Sequence, residues 1–140
     1  MKNLKVIVLI LSGLALFYAS SSRLINPTGA VFLQIFFENP ENSLETAVDL
    51  VNEIRGVGAV LLLGGIVALL GARRADFRPT SFVVTTVIFG GIILGRTLSF
   101  IIDGVPNPDL IRVAIIEMVI GVLNIFCFVQ IWAQGRQSSG

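Results

Sequence analysis

The 140-residue sequence has no histidine and a single cysteine, and only 14% of its residues are charged, against roughly 25% in an ordinary soluble domain. Without histidine, and with Cys127 alone, zinc, haem and iron–sulfur sites lose their usual ligands and no intrachain disulfide can form. No cofactor or metal is expected. Cys127 is set among Ile125, Phe126, Phe128 and Val129, with nothing cationic nearby to stabilise a thiolate, so it reads as a small apolar packing residue. The net charge is +1, and no basic cluster alternates with aromatics in the way that grips phosphates, which excludes nucleic acid as an expected partner.

What is abundant is apolar surface, at 54% of residues. The length allows one domain, residues 1–140, and a soluble fold of that size could not hide so much of it. Segments 4–20, 51–71, 80–102 and 110–132 approach the roughly 20 residues that a helix rising about 1.5 Å per residue needs to cross about 30 Å of hydrocarbon. Helices satisfy their own backbone in lipid. The expected fold is therefore all-α, an integral membrane bundle of four transmembrane helices with membrane lipids as its surroundings. Lys2 and Lys5 ahead of the first apolar run, and Ala19-Ser20-Ser21-Ser22 after it, also fit a signal peptide. The run is long for such a segment, which favours a retained helix.

Lys2, Lys5, Arg73, Arg74, Arg78 and Arg136 flank the spans on one side, so both termini are expected in the cytoplasm. The connection 23–50 carries Glu38, Glu41, Glu45 and Asp49 against Arg23, and the next connection on that side carries Asp103 and Asp109. Both are expected to face outward. The longer one is long enough to have structure of its own. Asn26-Pro27-Thr28-Gly29 reads as a turn, residues 30–37 as an interfacial apolar stretch, and Asn42 with Glu45 as a capping box starting the second helix near Ser43. The closing Gln-Ser-Ser-Gly has the composition of a disordered tail.

Depth turns the remaining polar residues into a pattern. Asn52, Glu53 and Arg55 lie near the outer end of the second span. Arg96 lies about 10 Å below Asp103 in the third, and Glu117 about as far into the fourth. Helical periodicity puts Thr85, Phe89, Ile92, Arg96, Ser99 and Asp103 on one side of the third helix. It puts Leu110, Glu117, Gly121, Asn124 and Phe128 on one side of the fourth, and Glu53, Gly56, Val57, Val60 and Gly64 on one side of the second. Small residues at such spacings predict faces turned into the bundle. Arg55 leaves the second helix nearly opposite Glu53. Charges inside a membrane pair or line a wet cavity, so Arg96 is expected to pair with Glu117, with Glu53, Ser99 and Asp103 in reach. A buried pair of this kind can serve only to fix which helices adjoin, or it can bind something. Gly91-Ile92-Ile93-Leu94-Gly95 adds a GxxxG spacing on the side of the third helix away from Arg96, expected to pack against the first helix in preference to another protomer.

The same residues carry a resemblance. Asn52-Glu53-Ile54-Arg55-Gly56, Gly71-Ala72-Arg73-Arg74, the string from Gly90 through Gly95-Arg96 and Ser99 to Asp103-Gly104-Val105-Pro106, and Glu117 resemble the pattern of a bacterial family known as domain of unknown function 4345. The resemblance implies four membrane helices, a bacterial cytoplasmic (inner) membrane and no established activity. DoxX-like membrane proteins are similar in architecture only.

Three functions compete. The first is a binding or accessory protein in which Arg96, with Arg55, holds an anionic ligand or docks against a larger membrane complex. The second is an enzyme on a lipid-like substrate, with Glu53 or Glu117 as general acid or base and Arg96 stabilising negative charge. The third, an oligomeric transporter, has little room for a pathway within one bundle.

Overall fold

In the computed structural model, which describes residues 2–27, 48–106 and 108–137, each apolar segment becomes one helix: α1 (Lys2–Ile25), α2 (Val48–Arg73), α3 (Arg78–Ile102) and α4 (Pro108–Gln137). All four are long and apolar enough to cross a membrane. Leu63, Val87, Leu94, Ile101, Ile116 and Val129 are all more than half exposed, a surface suited to lipid rather than water. The Thr28-Gly29 half of the expected turn, the interfacial stretch, the capping box at Asn42 and the Ser-Ser-Gly of the tail lie outside the described residues.

Helix ends run past the apolar segments, and the polar side chains there bond back onto their own helix. At the end of α1, Ser21 donates to the Phe17 carbonyl at 2.8 Å, Ser22 to Ala19 at 3.1 Å and Arg23 to Ala19 at 2.7 Å. Arg23 is thus a helical residue, whereas the sequence had placed it in the following connection. α2 passes into α3 through a single 3-10 turn, Ala75–Phe77, over which Arg74 and Asp76 form an exposed ion pair at 2.9 Å. Pro79, with its fixed φ, suits the first turn of α3. That helix stops at Gly104, whose φ of 96° is the left-handed conformation that ends helices.

The helices form a ring in chain order, α1 against α2, α2 against α3, α3 against α4 and α4 back to α1. α1 and α2 are the most intimate pair. A Cβ on Gly13 would lie 2.6 Å from Leu69 Cδ2, and one on Gly65 would lie 3.2 Å from the Gly13 carbonyl oxygen. The inward stripe of α2 is accordingly Val51, Ile54, Gly58, Leu61, Gly65 and Ala68. This corrects the expected face, since Glu53, Gly56, Val57 and Val60 are exposed and only Gly64 of that set is buried. The true stripe is displaced by one residue, about 100° around the helix. Both stripes carry glycines, and the choice is made by the close approach of the α1 backbone.

Two apolar clusters fill the interior. Val8, Leu9, Ala68, Phe82 and Cys127 form one, in which the thiol is fully buried and packs as a small apolar group. Leu16, Leu61 and Phe89 form the other, with Ala19, Ile92 and Ile120 packed against it. Between helices a buried polar node replaces apolar packing. Asn124 donates to Ser12 Oγ at 2.8 Å and accepts from Thr85 Oγ1 at 2.6 Å, so α1, α3 and α4 meet on one amide. Thr85 and Ser12 can each also use a carbonyl on their own helix. Asn124→Leu is therefore expected to cost only about 1–2 kcal/mol, measured by unfolding in detergent.

Candidate functional site

Where the second apolar cluster ends, charge begins, at the end of the bundle opposite the start of α1. One helical turn beyond Ala19, Ile92 and Ile120, toward that distal end, stand Arg23, Arg96 and Glu117 on α1, α3 and α4. Because the three apolar residues meet on one cluster, the three charged ones reach the same level. Arg96 and Glu117 form a two-point ion pair, with Nε donating to Oε2 and Nη2 to Oε1 at 3.1 Å. Their side chains are 23% and 14% exposed, so the pair is largely shielded. This is the pairing expected from depth and periodicity.

Arg23 is the residue that sequence reasoning missed. It is half-buried and within electrostatic reach of both Glu117, which attracts it, and Arg96, which repels it. A signal for it was present: Leu9, Ser12, Leu16, Ser20 and Arg23 continue one helical stripe. Gly58 of α2 gives that turn of α1 its room, since a Cβ there would lie 2.9 Å from Arg23 Cβ. On the same stripe Ser20 is 1% exposed, yet its hydroxyl has no hydrogen-bond partner among the described residues. Buried hydroxyls ordinarily have one.

The other residues singled out from sequence are at the same end but apart from the pair. Ser99 donates to Asp103 Oδ2 at 2.7 Å on the exposed side of α3. Asn52, Glu53 and Arg55 are exposed on α2. The glycine pair does not pack against the first helix as expected, since within the chain a Cβ on Gly91 or Gly95 meets nothing within 4 Å among the described residues. These glycines lie on the outward side of α3, away from Arg96.

Arg96 has a second neighbourhood. It lines a cleft of about 180 Å³ between α3 and α4, whose other walls are Ile93, Thr97, Phe100, Ile101, Ala114 and Met118. Glu117 occupies the Nε and Nη2 donors of the guanidinium, and Nη1 makes no hydrogen bond among the described residues. Guanidinium carries five N–H donors, so Arg96 can hold a second acceptor without surrendering the first. Among the described residues no three His, Cys, Asp or Glu side chains come together as a metal site.

A family model described as domain of unknown function 4345 matches residues 4–128, and the chain belongs to that family. No curated protein and no solved structure matches the chain.

Proposed function

We propose that this member of the domain of unknown function 4345 family is a membrane-embedded binding or accessory protein, whose site is the Arg96–Glu117 pair. The supporting observation is a shielded carboxylate–guanidinium pair whose arginine also lines a cleft and keeps open donors. One such pair would suffice to fix which helices adjoin. A second arginine at the same level is more than that task needs, because each ionisable group within hydrocarbon costs about 2.5–3.5 kcal/mol by insertion scales.

Arginine suits two-point recognition of carboxylate or phosphate. The ligand is therefore an anionic group, carried by a lipid, a small carboxylate or a subunit of a larger membrane complex. Asn52, Glu53, Arg55, Ser99 and Asp103 form the polar rim of that end. Lys5, Arg73, Arg74 and Arg78 lie at the opposite end, so the positive-inside rule turns the site toward the outer side of a bacterial cytoplasmic membrane and leaves both termini in the cytoplasm.

Native mass spectrometry of protein taken from its membrane in mild detergent tests the reading. The wild type is expected to retain an added mass of defined value, which the folded Arg96→Leu/Glu117→Leu double variant lacks. A bare monomer in repeated preparations would overturn the proposal.

A further inference from the structure

Resting on that reading, we infer that the ligand is a long-chain carboxylate that enters sideways from the bilayer, with its carboxylate on Arg96 and its chain in the α3/α4 cleft. The argument begins with depth. α3 has 25 residues, or roughly 37 Å, and Arg96 stands six residues before Ile102, so in a centred helix it lies about 5 Å inside the hydrocarbon boundary. A water-soluble anion has no reason to reach that level. An amphiphile whose own chain draws it into the lipid does.

The walls of the cleft agree with such a ligand. Apart from Arg96 and Thr97 they are apolar, and the rim is open, with Ile101 76% and Met118 49% exposed. A molecule in the surrounding lipid meets this opening directly. Charge complementarity selects the head: Arg96 already presents one donor edge to the carboxylate of Glu117, and a guanidinium with five N–H donors can bind a second carboxylate in the same way. A carboxylate with the first methylenes of its chain suits a cleft of about 180 Å³, the rest of the chain running out into lipid, whereas a phosphodiester brings a glycerol and a second chain to the same opening. Arg23 supplies a second positive charge near Glu117, which offsets the added negative one.

The test uses the full chain in phosphatidylcholine nanodiscs with a diazirine-bearing long-chain fatty acid. Photolabelling is expected on peptides containing residues 93–101 and 114–118. Oleate should suppress it at a concentration about tenfold or more below that needed with oleyl alcohol, the usual scale for losing a charge-assisted hydrogen bond. Ala114→Phe, which fills the cleft, should weaken labelling by about tenfold. Met118→Trp narrows the exposed rim without entering the core and should do the same if the first variant folds poorly.

Full labelling of both folded variants would remove the chain from the cleft. Acetate competing as well as oleate would overturn the long-chain inference and leave Arg96 as an anion site. Phosphatidylglycerol competing as well as oleate would replace the carboxylate by a phosphate-bearing lipid. Oleyl alcohol competing as well as oleate would overturn the anion site itself.

Discussion

Arg96→Leu and Glu117→Leu, made singly, are each expected to lower the stability of the folded protein by about 3–5 kcal/mol. Either change leaves an ion in a place where the wild-type side chains are only 23% and 14% exposed. Arg23 is close enough to take part of the electrostatic role of Arg96 toward Glu117, so Arg96→Leu should be the milder of the two. Replacing both residues with leucine removes both ions and puts apolar side chains beside Ile92 and Ile120. The double variant should recover much of the folded yield, because a buried ion pair adds little net stability over apolar groups of similar volume. Reversible unfolding in detergent reads the cycle. Losses that simply add in the double variant would show that the residues are not partners.

The next largest effect is expected at Gly71, a position unrelated to charge. A Cβ there would lie 2.2 Å from Ser81 Oγ and 2.5 Å from Ser81 Cβ, atoms held close to the backbone with little freedom to retreat. Ser81 Oγ also donates toward the Val67 carbonyl at 2.7 Å, which ties α3 to α2. Gly71→Ala must part these helices or break that bond, at a cost of about 2–4 kcal/mol. Gly95→Ala is the control, since its Cβ would meet nothing within 4 Å, and it should stay within about 0.5 kcal/mol of wild type. Equal melting of the two variants would show that α2 and α3 are not held together at Ser81.

These two cases also show what could be read from sequence. The four spans were legible because runs of apolar residues long enough to cross a bilayer are rare for any other reason. The Arg96–Glu117 pair was legible because depth and periodicity fix where a side chain on a membrane helix can reach. Helix ends were less so, since Ser21 and Ser22 are polar by composition, yet the helix continues through them with their hydroxyls turned back onto the Phe17 and Ala19 carbonyls. That hid Arg23, which hydropathy assigns to a connection. The inward face of α2 was ambiguous because glycines mark two neighbouring stripes, and tertiary approach by Gly13 decides between them. The spacing at Gly91 and Gly95 showed the same limit, for it says that a close approach is possible and not that a helix makes one.

The most direct test of the account is a density map of the full chain purified from its own membrane without added lipid. It should show an elongated feature in the α3/α4 cleft between Ile101 and Met118, ending in a head against Arg96 on the side not occupied by Glu117. An Arg96 bonded to Glu117 alone, beside an empty cleft, would contradict it and leave the pair as a device for holding α3 against α4.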